Sequence, residues 1–509
     1  MASLIRAFST VGANTLLSRI SGFVRDMLVA RLFGADAAVD AFLIAFKIPN
    51  FLRRLFGEGA FSMAFVPVLG EYKAQRSLAE LQCFVNDVAG TLGGVLLLVT
   101  ALGLWGAPLW VSLFAPGFLA NPEKFALARD MLRLTFPYIL FISLTAFAGG
   151  ILNTHRRFGI PAFTPVLLNL SLMGCALWLS PLLDRPILAL AWGVLIAGIL
   201  QLGFQLPFLH QIRLLPRPRF NPRDEGVRRV IHLIIPALFG VSVTQINLLV
   251  DSLFSSFLPT GSITWLYYSD RLMEFPVGVL GAALGTVILP SLSRDHASQD
   301  PGTFNRTLDW GLRWVALLGL PAAVGLGVLA GPLLAVFFHA GAFTSQDVAM
   351  SARSLIAYAL GLPGFLLIKV LAPGFYARQD TRTPVRIAVV TLVANMLLNV
   401  TLIGPLGHVG LALSTSLAAW LNAGLLYRRL RKAGIYHPLA SGRMALQGLA
   451  ASFLMGVILG WGSGDWSNWL MWSALTRVLS LVGWIALGGG VYFGALALLG
   501  VRPRDFRSP

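Results

Sequence analysis

Long uninterrupted apolar runs constrain this chain more than any other feature. Clear examples are 88–111, 187–209, 314–338 and 478–499. A helix needs about 20 apolar residues to cross a bilayer, and each of these runs reaches that length. The composition agrees, because 56% of residues are hydrophobic and only 12% are charged, whereas soluble domains carry about 25% charged residues. The sequence therefore predicts an all-α integral membrane protein.

About fourteen transmembrane helices are predicted from these runs and from more polar segments between them. The spans are expected at 7–33, 38–70, 84–113, 127–153, 159–181, 187–210, 228–257, 263–291, 307–337, 348–377, 385–403, 409–427, 444–460 and 475–500. The first, second and eighth are the most polar. Such a chain is expected to be a multi-pass membrane protein.

Two coincidences of spacing indicate a weak internal repeat. Pro67 and Pro290 are 223 residues apart, and each is expected at a helix end. Pro161 and Pro384 have the same separation, and each follows a polar turn that contains arginine. Repeats of the same sense fit two six-helix lobes around a central cavity, with two extra C-terminal helices outside the repeat. The predicted boundaries are 1–210 for the N-lobe, 211–227 for a cytoplasmic linker, 228–432 for the C-lobe, and 433–509 for the last two helices and a cytoplasmic tail.

Lysine and arginine cluster beside alternate connections. The richest clusters are the linker 211–229, the segment 428–432 and the tail 502–507, whereas the connections of the other set contain little more than Lys124 and Arg185. By the positive-inside rule, the basic set is cytoplasmic and both termini lie inside. The net charge of +17 is therefore mostly a topology signal, helped by anionic lipid, and nucleic acid is not an expected partner.

Charged side chains interrupt three of the predicted spans. They are Arg19, Arg25 and Asp26 in the first, Asp40, Lys47, Arg53, Arg54 and Glu58 in the second, and Asp270, Arg271 and Glu274 in the eighth. Four uncompensated arginines in mid-membrane would cost about 10–14 kcal/mol, so they must face water, an anionic ligand or acidic partners. Because guanidinium groups bind phosphate and carboxylate oxygens in bidentate geometry, the pattern predicts a hydrated cationic cavity for an anionic headgroup.

A structural role for some of these charges stays open at this stage. Arg54 and Glu58 are four residues apart, and Arg271 and Glu274 are three apart, so each couple can pair on one helix face. Charges near helix ends can also extend to the interface.

A second polar set offers oxygen ligands for a small hard cation. It comprises Asp251, Asn395, Asn399, Ser414 and Thr415. Carboxylate, amide and hydroxyl oxygens suit such an ion, so Na⁺ coupling is one reading. Hydrogen bonding between helices is the other.

Motifs for ATP hydrolysis and for hydrolytic catalysis are absent from the sequence. It contains no G-x-x-x-x-G-K-[ST] phosphate loop, no H-E-x-x-H zinc motif and no G-x-S-x-G elbow, which are the usual devices for those reactions. The sequence therefore predicts a transporter without a cofactor rather than an enzyme. The energy is expected to come from the membrane potential, from an ion gradient such as Na⁺, or from downstream use of the product. One charge moving through 100 mV is worth about 2.3 kcal/mol.

Several contiguous runs resemble the MurJ/MviN lipid II flippases. They are SRISGFVRD at 18–26, DAF at 40–42, KIPNFLRR at 47–54, EGAFS at 58–62 and DRLMEFP at 270–276. The resemblance covers the whole chain. It implies membership of the multidrug/oligosaccharidyl-lipid/polysaccharide exporter superfamily, alternating access, and movement of lipid II from the cytoplasmic to the periplasmic leaflet of the bacterial inner membrane. Lipid II is the undecaprenyl-pyrophosphate-linked precursor of peptidoglycan.

The resemblance also implies roles for individual residues. Substrate binding falls on Arg19, Arg25, Arg53 and Arg271, with Asp26, Asp40, Glu58 and Glu274 as supporting acids. A Na⁺ site would use Asp251, Asn395, Asn399 and Thr415, although a carboxylate is often expected where Asn399 stands. The two extra helices would form a groove for the lipid tail. The implied partners are lipid II, membrane lipids and other cell-wall synthesis proteins.

Alternatives within the same superfamily remain. One is a flippase for another polyprenyl-linked glycan, which shares this chemistry. Another is a drug/cation antiporter, which predicts an acidic cavity, whereas this one is mainly basic. A third alternative, from a different class, is a membrane-embedded glycosyltransferase or other enzyme; it would need a catalytic acid near a sizeable exterior loop, and the sequence offers none.

Overall fold

The computed structural model describes residues 2–54, 61–439 and 441–502, with side chains described outside 2–9 and 237–248. Within these ranges the regular secondary structure is helical and contains no strand. Contacts divide the chain into two compact units, Met1–Gly261 and Ser262–Pro509.

The N-terminal unit is built from ten described α-helices. They are α1 (Ala2–Phe33), α2 (Ala37–Arg53), α3 (Phe61–Gln75), α4 (Leu78–Trp105), α5 (Ala107–Phe114), α6 (Pro122–Thr135), α7 (Tyr138–Thr154), α8 (Gly159–Gly174), α9 (Leu188–Gln211) and α10 (Glu225–Ser255). Its core includes the rings of Phe65, Phe84 and Phe147, which are buried between α3, α4 and α7. Helix α1 packs along α8.

The C-terminal unit also contains ten described α-helices. They are α11 (Ser262–Ala297), α12 (Pro301–Trp314), α13 (Leu320–Val328), α14 (Ala330–Phe337), α15 (Ser345–Tyr376), α16 (Arg382–Leu406), α17 (His408–Lys432), α18 (Ser441–Gly462), α19 (Trp466–Met471) and α20 (Ala474–Leu498). Helix α15 is central, because it packs against α11, α13 and α17. The late helices α18 and α20 pack on each other and α18 also packs on α13.

The predicted helical membrane architecture is confirmed, although the number of spans stays a prediction. Among the described residues, eleven helical segments are long and apolar enough to cross a membrane. Predicted spans 7–33, 38–70 and 228–257 are not among these eleven. Several predicted spans are broken in the structure: 84–113 divides into α4 and α5 at Gly106, and 307–337 divides into α12, α13 and α14.

Helix α10 packs with the N-terminal unit. Near its start, Arg229 Nη1 lies 2.8 Å from Glu71 Oε2 on α3. Just beyond its end, Ser256 Oγ accepts a hydrogen bond of 3.0 Å from the backbone N–H of Gly117. Contacts therefore group α10 with the helices that precede it, whereas the predicted lobe boundary at 228 stays a prediction about the repeat.

The basic linker before α10 is tied to the start of α4. The N–H of Arg219 donates to the carbonyl of Asn86 at 3.0 Å, and the N–H of Arg217 donates to Asn86 Oδ1 at 2.7 Å. Asn221 Nδ2 donates to Asp87 Oδ2 at 2.9 Å. The linker is thus a docked segment of the N-terminal unit.

Two turns that were expected to correspond in the repeat have the same geometry. Arg156 and Gln379, which are 223 residues apart in sequence, both adopt a φ of 60°. Pro161 and Pro384 each stand third in the helix that follows, α8 and α16. A left-handed residue is uncommon outside glycine, so its recurrence at this spacing supports the internal repeat.

The other pair of prolines departs from the expectation. Pro67 lies inside α3 and Pro290 lies inside α11, so neither is at a helix end. Proline removes one backbone donor but does not always end a membrane helix, because neighbouring groups can satisfy the freed carbonyl.

Candidate functional site

Arg25 is buried on α1 in a local polar cluster. Its Nε and Nη2 donate to Asp26 Oδ1 at 3.0 and 2.6 Å, and its Nη1 donates to Asn169 Oδ1 on α8 at 3.0 Å. The side chains of Arg25 and Asp26 are 8% and 4% exposed. A buried guanidinium needs such a partner, since an uncompensated buried charge is strongly destabilising.

Asn169 fixes the position of this cluster relative to α1. Its Nδ2 donates to the carbonyl of Ser18 at 3.1 Å and to Ser21 Oγ at 2.9 Å. The same amide therefore joins one turn of α1 and the Arg25 guanidinium. Gly22 faces it, because a Cβ added at Gly22 would lie 3.5 Å from Asn169 Nδ2.

The other predicted cations of the N-terminal unit differ in exposure. Arg19 is exposed on α1. Arg53 is half-buried at the end of α2, where its Nε and Nη2 donate to Asn50 Oδ1 at 3.0 and 2.8 Å. Glu58, which was expected to support these arginines, lies outside the described residues.

Asp40 has a lysine as a partner. Its Oδ2 is 2.7 Å from Lys124 Nζ on α6, and it also accepts a hydrogen bond of 2.8 Å from the N–H of Gly261. Both charged side chains are almost fully buried, and Lys124 lies over the ring of Phe118 at 4.5 Å. Asp40 thus holds together three distant parts of the N-terminal unit; its supporting role for the arginines stays a prediction.

Arg271 is half-exposed on α11 of the C-terminal unit. Its Nη1 is 3.3 Å from Glu274 Oε2, the pairing expected from their spacing. Its Nε and Nη2 donate to the hydroxyl oxygen of Tyr267 at 3.3 and 3.0 Å. This guanidinium is therefore oriented by one turn of its own helix while remaining accessible.

The partners of the predicted site residues differ in how readily they can be found from the sequence. Asn50 and Tyr267 stand three and four residues before their arginines, and this helical spacing is a local signal that is visible in the sequence. Asn169 and Lys124 are 144 and 84 residues from their partners, so only the fold brings them together. The roles of all these residues in substrate binding stay predictions.

The second polar set is divided between the two units. Asp251 belongs to α10, whereas Asn395 and Asn399 are buried on α16 and Thr415 lies on α17. Asn399 Nδ2 donates to Asn395 Oδ1 at 3.3 Å. The hydroxyls of Ser414 and Thr415 donate to carbonyls four residues earlier on their own helix, which leaves their oxygen lone pairs as acceptors. The donor types fit a Na⁺ ion, and the site stays a prediction.

Comparison with known proteins decides the family. The family model for lipid II flippase MurJ matches residues 29–480 of this chain. The chain belongs to the MurJ lipid II flippase family. A probable lipid II flippase MurJ of Vibrio cholerae is 48% identical over 514 residues, covering 99% of this chain and 98% of its own length. The lipid II flippase MurJ of Burkholderia cenocepacia is 43% identical and covers 99% of both chains.

Solved structures agree with this membership of the MurJ family. A lipid II flippase MurJ in an inward closed conformation matches with a TM-score of 0.81 at 29% identity, over 96% of this chain and 98% of its own. An inward-facing multidrug transporter of the MATE family matches with a TM-score of 0.68 at 12% identity, over 82% of this chain and 95% of its own. The second match concerns the fold alone, and both confirm the predicted helical membrane class.

Proposed function

We propose that this protein moves lipid II from the cytoplasmic to the periplasmic leaflet of the bacterial inner membrane by alternating access, without hydrolysing ATP. The observation that carries the proposal is the family match over residues 29–480. The family consists of flippases, which are transporters and not enzymes. The cations held inside a multi-pass helical chain supply chemistry that suits a diphosphate cargo.

Recognition of the diphosphate would fall on the predicted arginines Arg19, Arg25, Arg53 and Arg271. Arg53 and Arg271 are partly exposed and are oriented by Asn50 and Tyr267, so a phosphate can approach both guanidinium groups. Arg25 is buried, and its ion pair with Asp26 must loosen before the cargo can be bound there.

Release of the cargo is proposed to use the acids that already pair with these arginines. Asp26 and Glu274 lie within 3.3 Å of Arg25 and Arg271. When such a carboxylate replaces a phosphate oxygen, the guanidinium keeps its charge partner while its hold on the cargo weakens. A cycle between these two sets of partners would allow binding on one side and release on the other.

The proposed orientation places both termini and the basic linker in the cytoplasm. This rests on the concentration of arginine beside alternate connections, which sets orientation in most multi-pass proteins. Membrane lipids and other cell-wall synthesis proteins are the further partners that this role would involve.

The driving force is proposed to be a Na⁺ gradient or the membrane potential. Asn395 and Asn399 support the first possibility, because two buried amides within one helix offer oxygen ligands. Flipping in vesicles with and without an inward Na⁺ gradient, compared between wild type and Asn399→Leu, measures this. Equal rates with and without Na⁺ in the wild type would leave the potential as the driving force.

Depletion of the protein from cells tests the function. Outer-leaflet lipid II is measured after depletion and after complementation with wild type, Arg25→Ala, Arg271→Ala or the control Arg431→Ala, all at matched membrane levels. Arg431 is exposed in the last turn of α17, a helix that carries none of the four predicted substrate-binding arginines. We expect rescue by wild type and the control, and a loss of about tenfold or more for the two site variants, because a charged hydrogen bond is worth about 1.5–3 kcal/mol.

The opposite results discriminate between alternatives. Unchanged outer-leaflet lipid II in depleted cells that have no second flippase would contradict the proposal and favour another polyprenyl-linked glycan. Full rescue by Arg25→Ala would retain the flippase and remove Arg25 from the binding site. Export of cationic drugs instead would point to an antiporter.

A further inference from the structure

Lys369 is an exposed cation within the central membrane helix of the C-terminal unit. It lies on α15, in one of the segments long and apolar enough to cross a membrane. Between residues 361 and 375, all of which are described, Lys369 is the one exposed residue. Within the described part of the chain, no ion pair or hydrogen bond is formed by its ammonium group. A lysine in this position is costly unless it meets water or an anion.

The side chain of Lys369 lies against the helix that carries Arg271. A Cβ added at Gly281 on α11 would contact Lys369 Cγ at 3.5 Å, which is an ordinary van der Waals distance. The lysine stem therefore crosses α11 at Gly281. The absence of a larger side chain there leaves room for it.

Gly281 shares a helix face with Arg271. Tyr267, Arg271, Glu274, Gly281 and Gly285 follow one another at intervals of three, four or seven residues, which places them along one side of a helix. No atom lies within 4 Å of a Cβ added at Gly285. This face of α11 is therefore open at Gly285, one turn beyond the position that the lysine stem contacts.

The separation along the helix sets the geometry. Arg271 and Gly281 are ten residues apart on α11, which corresponds to about 15 Å of helix. Lys369 is seven residues before the end of α15, or about 10 Å from a turn predicted to be cytoplasmic. The ammonium group is thus a second positive charge on the Arg271 side, displaced toward the cytoplasm.

We propose that Lys369 binds a phosphate of the lipid-linked cargo on its entry from the cytoplasm, before the diphosphate reaches Arg271. The proposal rests on the proposed flippase function and adds a cation that the sequence analysis did not single out. Lysine suits an entry contact because its single charge on a flexible stem can follow a moving phosphate, whereas arginine holds a fixed bidentate geometry.

Transport kinetics in vesicles test this assignment. Purified full-length wild type, Lys369→Gln, Lys369→Arg and the control Lys432→Gln are reconstituted at equal density, and the flipping rate is measured against the lipid II concentration. Lys432 is an exposed lysine at the cytoplasmic end of α17. We expect Lys369→Gln to raise the half-saturating concentration about tenfold or more with little change in the maximal rate, as for a contact that acts in binding.

Further arms separate binding from a structural role. Lys369→Arg is expected to keep near-wild-type saturation, since it retains the charge, and Lys432→Gln is expected to match wild type. A fall in maximal rate alone, or a defect that arginine does not rescue, would overturn the proposal.

The lipid composition of the vesicles distinguishes contact with lipid II from contact with anionic membrane headgroups. The same series is repeated in neutral phosphatidylcholine vesicles and in vesicles containing phosphatidylglycerol. A Lys369→Gln defect in both supports contact with lipid II itself, whereas a defect confined to the anionic vesicles would assign the lysine to membrane headgroups and overturn the proposal. A wild type that moves no lipid II in either membrane would overturn the flippase function and this inference with it.

Discussion

The buried Asp40–Lys124 ion pair links segments that are far apart in the N-terminal unit. Asp40 lies in the first turn of α2, Lys124 lies in the first turn of α6, and Gly261 lies in the segment after α10. Two buried charges stabilise each other only while both are present, because removal of one leaves the other without a counter-charge. The main effect of the pair is therefore to fix these segments relative to one another, and its contribution to the net free energy of folding is small.

Substitution of either partner is expected to weaken this unit strongly. Asp40→Asn and Lys124→Met should each destabilise it by about 3–5 kcal/mol, and the double variant should lose less than the sum of the two. The midpoints of thermal unfolding in detergent, measured for all four proteins, give the comparison. Strictly additive losses would show that the two charges do not interact.

His339, which lies outside the predicted spans, is expected to make the C-terminal unit sensitive to acid. Its Nδ1 lies 3.0 Å from Arg477 Nη1, and because arginine only donates, this contact requires a neutral imidazole with Nδ1 as acceptor. Burial, followed by the charge of Arg477, lowers the pKa of His339. Arg477, on α20, also donates to the carbonyl of Leu470 in α19 and to that of Ala335 in α14. The contact with His339 therefore belongs to a set of hydrogen bonds that joins α14, α19 and α20.

The sign of the pH effect follows from that lowered pKa. An unfolded histidine takes up a proton near pH 6.5, whereas the folded His339 resists it. Its contribution to stability is therefore complete above about pH 6.5 and is lost as the pH falls from there through the lower pKa of the folded state. Thermal midpoints between pH 8 and 5 should therefore decline more for wild type than for His339→Gln, whose amide oxygen can accept but does not titrate. Parallel curves would contradict the assignment.

The docking of the linker depends on a close approach between its backbone and α4. A Cβ added at Gly90 would overlap the backbone of Arg219, whereas one added at Gly93 would meet no atom within 4 Å. The lack of a side chain at Gly90 thus allows the linker backbone to contact α4. Gly93, three residues further along the same helix, provides a matched control.

Gly90→Ala should therefore displace the linker and Gly93→Ala should not. Trypsin added to inverted membrane vesicles would cleave at the linker arginines, and we expect faster cleavage for Gly90→Ala than for wild type or Gly93→Ala. Alanine favours helix over glycine by about 1 kcal/mol, so both variants gain in α4 itself and the difference between them reports the docking. Identical cleavage of the two variants would count against a linker held at this position.

The apolar runs could be predicted because length and hydrophobicity are local properties. The break between α4 and α5 at Gly106, followed by Pro108, was also present as a local signal, although the predicted span passed over it. Asn169 beside Arg25 and Lys124 beside Asp40 could not be predicted, since nothing near either residue in sequence indicates its partner. In the candidate site, residue types were therefore predictable, whereas the partners that tune their charges depended on the fold.

The boundary between the two compact units, after Gly261, does not coincide with the boundary at residue 228 that is predicted from the repeat. The repeat would place α10 at the start of the second half, yet Glu71, Gly117 and the docked linker hold it to the first. Contacts therefore assign α10 to the first unit, whereas its place at the start of the second repeat stays a prediction.

The transmembrane orientation of the chain determines which side of the membrane the linker and Lys369 are nearer to. The two ends of α8 offer a sharp test of that orientation. The turn at Arg156 and Arg157 precedes this helix and is predicted to be cytoplasmic, whereas the connection near Asp184 follows it and is predicted to be periplasmic. Alkaline phosphatase, which is active only outside the cytoplasm, should be active when fused after Asp184 and inactive when fused after Arg157 or Pro509. Green fluorescent protein at the same three positions should give the reverse pattern. The opposite result at Asp184 and Arg157 would invert the topology, place Lys369 near the periplasmic end of α15, and remove the basis for an entry contact there.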